Sequence, residues 1–278
     1  MSSYERYDDT SRHYDRTRVA IGAEIIIGCL ARRGHPLASQ TLLDAGCGTG
    51  AYSQALLPHV GRVVALDMSA GMLAQARAKL AAAENQGRIR FHRGQIDALP
   101  FAEASLDAVM INQVLHHLDD DAAAGYPAHR RVLAEVARVL RPGGTLVINS
   151  CGQAQIGESY WYYALIPGAA KAMAARFAPL DALDTALDAA GLQPAGRFVP
   201  VDAICQGTAY FDGRGPLAKS WRDGDSAWAL AGPAELDAAL DRVRTLDQAD
   251  DLDAFVARHD ARRAELGQIT FIAATRRY

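Results

Sequence analysis

No stretch of this chain is long and apolar enough to cross a bilayer. Its longest greasy run, Val19 to Ala31, falls short of the roughly twenty residues a spanning helix needs and contains Glu24. A strong charge of either sign is also absent. The 29 Lys and Arg against 32 Asp and Glu leave a formal net charge of −3, which gives no electrostatic reason to expect nucleic acid or an anionic membrane as partner. Cysteine is scarce: Cys29, Cys47, Cys151 and Cys205 lie far apart without CxxC spacing. The residues from Met1 to Asp8 carry no apolar signal core. Reduced thiols in a cytoplasmic protein are therefore the expectation, with no metal site. Beyond a Tyr-Asp echo near the start there is no internal repeat. Half of the 278 residues are hydrophobic, ample for one large domain or for one domain with a substantial cap.

What the chain does have is a glycine turn between a strand and a helix. In Leu42-Leu43-Asp44-Ala45-Gly46-Cys47-Gly48-Thr49-Gly50, two apolar residues and an acid at the strand tip precede three alternating glycines and the helix-like run Ala51 to Leu57. Glycines at such a turn permit positive φ and let backbone approach a ligand closely, and the helix behind them presents unpaired N–H groups. The pattern is a nucleotide-type cradle. Strands and helices then alternate. Arg62 to Leu66 ends at Asp67, and Ser69 caps a helix that turns Met72, Leu73, Ala76 and Leu80 to one face. Ile89 to His92, Asp107 to Asn112 and Thr145 to Asn149 read as further strands, and a helix through Val132 and Leu140 stops at Pro142-Gly143-Gly144. With strands near Arg197–Val201 and Ile269–Ala274, the rhythm predicts an α/β fold. Its core is a doubly wound, seven-stranded, mostly parallel Rossmann-like sheet with helices on both faces and the ligand outside the strands' carboxyl ends.

Three regions fall outside that rhythm. Residues 1–34 read as an N-terminal helical arm or lid, in which Tyr7-Asp8 and Tyr14-Asp15 share a face. Residues 151–178 hold the densest aromatic cluster, Ser159-Tyr160-Trp161-Tyr162-Tyr163, and 206–265 hold Gly/Asp/Trp-rich turns and two helices, one opening at Pro233. The expected organisation is a core of 35–150, 179–205 and 266–278, with 151–178 and 206–265 as helical cap insertions around an acceptor site.

Gly46-x-Gly48-x-x-Ala51 formally satisfies the dinucleotide fingerprint, and Asp67 lies about twenty residues on, so an NAD-dependent oxidoreductase is one reading. Asp44 argues against it, because an acid at the strand tip repels a pyrophosphate but suits a ligand with a positive amino group. Taken with four later motifs, the chain resembles the class I S-adenosylmethionine-dependent methyltransferases, of the small-molecule type that includes ubiquinone/menaquinone-biosynthesis enzymes. Asp44-x-Gly46-x-Gly48-x-Gly50 looks like that family's first motif, and Asp67-Met68-Ser69 resembles the second, whose acid holds the ribose hydroxyls. Gly94-Gln95-Ile96-Asp97-Ala98-Leu99-Pro100-Phe101 resembles the adenine-site motif, Asn112-Gln113-Val114-Leu115-His116-His117-Leu118 the fourth-strand motif beside the methionine moiety, and Arg141-Pro142-Gly143-Gly144 the turn before strand five. The resemblance implies S-adenosyl-L-methionine as cofactor, bound by Asp44, Ala45, Gly46, Cys47, Gly48, Gly50, Asp67, Met68, Gln95, Ile96, Asn112 and Gln113. It also implies that Tyr14 and Arg18 of the arm approach the methionine carboxylate. One departure is Gln95 where the family usually has Asp; its carbonyl still accepts from the adenine amino group, but without charge.

A sulfonium methyl is already electrophilic, so such an enzyme chiefly aligns it with a nucleophile, sometimes removing a proton. His116 and His117 at the fourth-strand tip are the candidate bases; their bland reading is structural. No Asn-Pro-Pro-Tyr stands there, which argues against methylation of nucleic-acid bases. The expected substrate is a small or medium organic acceptor attacked through O, N, S or C. Tyr160, Trp161, Tyr163, Trp221 and Trp228 are candidates for its pocket, unless those rings form the cap's own core. Two other readings stand beside this one: a thiol or metalloid methyltransferase using Cys151 and Cys205, and a non-catalytic cofactor-binding protein.

Overall fold

The computed structural model describes residues 20–32 and 35–278, so Tyr14, Arg18 and the Tyr-Asp echo lie outside the described residues. Helix α1 (Ala23–Ala31) leads into β1 (Thr41–Ala45), α2 (Ala51–Leu56), β2 (Arg62–Asp67), α3 (Ala70–Asn85), β3 (Ile89–Arg93) and β4 (Leu106–Asn112). Then come α4 (Pro127–Val139), β5 (Leu140–Ser150), α5 (Gln153–Glu158), α6 (Pro167–Arg176), α7 (Leu180–Ala189) and β6 (Leu192–Phe198). The chain finishes with α8 (Lys219–Arg222), α9 (Pro233–Gln248), α10 (Leu252–Asp260), α11 (Arg263–Leu266) and β7 (Thr270–Arg276). All seven strands form one sheet in the order β3-β2-β1-β4-β5-β7-β6. The first five run parallel, while β7 is antiparallel to both β5 and β6. The order reverses between β1 and β4, which opens a crevice at their carboxyl ends.

Alternation along the strands builds two core layers. Leu42, Val63, Ala65, Ala108, Met110 and Val147 face one side, while Leu43, Val64, Leu66, Val109, Ile111, Leu146 and Ile148 face the other. A period of two with both faces apolar is what a sheet covered on both sides requires, and each fully buried Leu, Val or Ile contributes about 1.5–3 kcal/mol. Leu133, Val136 and Leu187 of α4 and α7 cover the second face. The first is covered by Ile26 and Leu30 of α1 and Leu56 of α2, and the segments 151–178 and 206–265 join the same cluster through Trp161, Tyr162, Tyr210, Trp221, Trp228 and Phe255.

Those two segments are locked to each other. Trp161 Nε1–H donates to the Tyr210 carbonyl at 2.7 Å, and the Tyr162 hydroxyl donates to Asp225 at 2.5 Å. Both rings are fully buried, so each hydrogen bond removes the cost of an unmet polar tip in an apolar setting. Among the described residues no helix is long and apolar enough to cross a membrane, and no group of three or more His, Cys, Asp or Glu is placed to hold a metal ion.

Candidate active site

The glycine turn is held by β2. Gly46 N–H and Cys47 N–H both donate to the Leu66 carbonyl, at 2.7 and 2.9 Å. At Gly46, φ is +84° and an added Cβ would come within 2.5 Å of the Val114 side chain; at Gly48, φ is +53° and an added Cβ would meet nothing within 4 Å. Gly46 is therefore glycine for packing, whereas Gly48 faces open space. Gly50 begins α2 at φ +81° with its α-carbon turned to Ala76 and Leu80, and Ala45 is buried at the end of β1; neither lines the clefts described next.

Two clefts meet at this turn. The larger, about 290 Å³, is lined by Gly46, Gly48, Asp67, Met68, Met72, Gln95, Ile96, Asn112, Gln113 and His117, among others. Asp67 takes Gly48 N–H on one carboxylate oxygen (2.8 Å) and Ser69 N–H on the other (2.9 Å). A carboxylate offers about four lone-pair sites, and with the Met68 amide as a further backbone partner at least one site remains for another donor such as a hydroxyl. Burial raises the Asp67 pKa, and the backbone donors pull the other way. Asp97 also lines this cleft, 3.9 Å from Arg131. The smaller cleft, about 80 Å³, lies on the far side of Gly46 and Gly48 against Asp44, Cys47, Tyr52, Asn112, Gln113, Asn149 and Cys205. Asp44 is buried, accepts from Ser53 Oγ at 2.7 Å, and is pushed up to about 7 by burial, with the charge of Asp67 adding to the rise. Asn112, between the clefts, has neither side-chain nitrogen nor oxygen hydrogen-bonded within the described residues. A cradle open at Gly48, a carboxylate with a spare acceptor site, an orphaned amide and an acid at the other end fit a nucleoside joined to an amino-acid moiety.

A third cavity, about 40 Å³, continues inward past Gln113 and Cys205 between His116, Cys151, Tyr160, Tyr163, Phe177, Gln206 and Asp225. Gln113 lines all three spaces. Its backbone has φ +54°, a conformation that costs a non-glycine residue energy. Bonds hold it there: Gln113 N–H donates to the Asn149 carbonyl and Gln113 Nε2 to Asn149 Oδ1, both at 2.9 Å. Cys151 Sγ lies 3.5 Å from Gln113 Nε2 and 3.9 Å from the Tyr160 hydroxyl, which is in turn 3.7 Å from Cys205 Sγ. Burial pushes the Cys151 thiol up to about 12. Tyr160 and Tyr163 also floor an outer groove of about 500 Å³ between α6 and α10.

The structure separates the other candidates. His116 faces the inner cavity, stacked on Phe177 at 4.5 Å, whereas His117 faces the larger cleft. Trp161, Trp221 and Trp228 line none of these spaces. They pack with Tyr162 at centroid distances of 5.1–6.0 Å, because indole area is best hidden against other rings. Of the five proposed pocket residues, Tyr160 and Tyr163 line these spaces and the three tryptophans do not. Tyr52, Asn149, Gln206 and Asp225 reach these cavities with no motif pointing to them; Asp225 sits in Asp223-Gly224-Asp225-Ser226, which reads in sequence as a turn. Another cleft of about 290 Å³, against Arg32, Pro142 and Thr145, lies by the amino-terminal half of β5, away from the glycine turn.

Residues 43–148 match the family described as "Methyltransferase domain". The chain is 35% identical over 145 residues to a demethylmenaquinone methyltransferase of Clavibacter sepedonicus, covering 51% of this chain and 55% of that one. It is 34% identical over 124 residues to a malonyl-[acyl-carrier protein] O-methyltransferase of Serratia marcescens, covering 45% and 42%. The chain thus spans about half the length of the curated relatives it matches. The fold is shared with a putative methyltransferase from an antibiotic biosynthesis pathway of Anabaena variabilis ATCC 29413, at a TM-score of 0.72 and 21% identity over 94% of this chain and 99% of that one. Residues 43–148, which carry the glycine turn, Asp67 and the β1/β4 crevice, thus match a methyltransferase domain.

Proposed function

We propose that this chain transfers the methyl group of S-adenosylmethionine to a small organic acceptor. The observation that carries the reading is the run of three adjoining spaces that share Gln113, from a nucleoside-sized cleft to the small inner cavity. Asp67 would accept from the ribose hydroxyls, Gln95 and Ile96 would frame the adenine, and Asp44 with the Gly46–Gly48 backbone would hold the amino-acid end. Bound there, the cofactor supplies a sulfonium-activated methyl. The protein's part is to hold it, exclude water and present the acceptor from the inner cavity. His116 lines that cavity and is the better placed of the two histidines to take a proton. On this reading 35–150, 179–205 and 266–278 bind cofactor, and 151–178 with 206–265 build the acceptor site.

Calorimetry tests it. Adenosylhomocysteine should bind and NAD should not, and Asp67→Ala should weaken binding at least tenfold, since charge-assisted bonds contribute about 1.5–3 kcal/mol each. Because Asp67 also holds Gly48 and Ser69, part of that loss will come from a loosened turn. NAD binding, or an unchanged affinity in the variant, would count against the assignment. The metalloid reading draws on Cys151 and Cys205 both lying near the Tyr160 hydroxyl. A thiol held near 12 stays protonated at neutral pH and ligates poorly, so arsenite with glutathione should give no adenosylhomocysteine.

A further inference from the structure

An acidic side chain stands on the wall of the inner cavity. It is Asp225, which accepts from the Ala227 amide at 2.8 Å and from the Tyr162 and Tyr163 hydroxyls at 2.5 and 3.3 Å. These donors are neutral, and the Tyr163 hydroxyl is 3.3 Å from both oxygens, so three donors share the carboxylate's four lone-pair sites. Among the described residues no lysine or arginine lines the cavity, whose one basic side chain is His116. The carboxylate's field reaches across the space, adding to burial in raising the Cys151 thiol. Gln206 lines the same cavity, 4% exposed, with neither Oε1 nor Nε2 hydrogen-bonded within the described residues. A buried amide left unmet destabilises a fold, so this one is better explained by a ligand than by packing. The other walls are rings, with Tyr160 stacked on Tyr163 at 4.8 Å and Phe177 on His116. A carboxylate, an unmet carboxamide oxygen and aromatic surfaces together complement a compact cation that carries N–H donors.

We infer that the inner cavity takes an ammonium group of the methyl acceptor, its N–H bonds accepted by the Asp225 carboxylate and the Gln206 carboxamide oxygen. The inference rests on the reading of this space as the acceptor's. The acceptor is then an amine, anchored by a small head of a few heavy atoms, since 40 Å³ is only about three times the least volume that holds one water. Its remainder extends past Gln113 to the cofactor.

Saturation-transfer NMR on the full chain, with and without adenosylhomocysteine, compares three probes with three carbons each: propylammonium, 1-propanol and propionate. Propylammonium should bind at least tenfold more tightly than propanol, and propionate should give no signal. Gln206→Met keeps the volume without the polar atoms; it should lose at least fivefold in propylammonium affinity while its melting midpoint holds or rises. Asp225→Asn should abolish the preference for the amine over the alcohol. Adenosylhomocysteine affinity by calorimetry should stay within twofold in both variants. A wild type that does not bind adenosylhomocysteine would count against the cofactor assignment alone, because the amine preference is also read without it. Equal binding of propanol or propionate, or full propylammonium affinity in Gln206→Met, would overturn the inference.

Discussion

Burial holds the Asp44 carboxyl near neutrality, at about 7 in the fold against roughly 3.9 in an unfolded chain. Between those values the folded protein keeps a proton that the unfolded chain has lost. The stability from this group is therefore complete below about pH 4 and is lost as pH rises through 7. A difference of about 3 between the two values corresponds to on the order of 4 kcal/mol. A ligand bearing an ammonium beside Asp44 favours the ionised form, so the sign for binding is opposite. Adenosylhomocysteine should bind roughly tenfold more tightly at pH 8 than at pH 6, with proton uptake by buffer at the lower pH. Asp44→Asn should flatten that dependence, weaken binding and make the ligand-free protein more stable above pH 7. A wild-type affinity independent of pH would refute the pairing. Asp44 itself was legible in the sequence because an acid between a buried strand and a glycine turn is conspicuous. Gln206 and Asp225 were not, since nothing local in Cys205-Gln206-Gly207 or Gly224-Asp225-Ser226 says that a turn is turned inward.

At the level of elements, the strands that read clearly are those buried on both faces. Leu42–Leu43, Arg62–Leu66 and Asp107–Asn112 lie within β1, β2 and β4. β6 spans Leu192–Phe198, ahead of the Arg197–Val201 that the sequence suggests. It is an edge strand with only Leu192 buried and a register shift between Pro194 and Gly196, so it shows neither an apolar run nor alternation. β5 begins at Leu140 and carries Arg141-Pro142-Gly143-Gly144 within it, where the sequence suggested a turn. The tryptophans of the cap are hard to place from sequence for a related reason: composition shows that rings cluster, but not which of them face a cavity. The glycine turn yields the sharpest test at this scale. Gly48→Val would put a branched side chain into the cleft at positive φ, with no protein atom within 4 Å of its Cβ. Binding of adenosylhomocysteine should vanish while near-UV circular dichroism stays native. Normal binding in the variant would remove Gly48 from the site.

For the molecule as a whole, the part matched by the family ends at residue 148, and the inner cavity's walls beyond it come from Cys151, Tyr160, Tyr163, Gln206 and Asp225. On the proposed function, cofactor and acceptor would be handled by different stretches of chain that meet at Gln113. The stacked Tyr160–Tyr163 pair stands between the inner cavity and the outer groove, on the side away from the glycine turn. An entrance past those rings would not cross the cofactor's own. Neither ligand then has to arrive before the other, and neither product has to wait for the other to leave. Initial-rate lines should intersect, and adenosylhomocysteine should compete with adenosylmethionine while inhibiting noncompetitively against the acceptor. A dead-end acceptor analogue acting uncompetitively against adenosylmethionine would instead indicate a compulsory sequence with the cofactor first, and adenosylhomocysteine acting uncompetitively against the acceptor one with the acceptor first. Where random order holds, throughput depends on the scarcer of two independently filled sites, so the cell could set the rate through either supply.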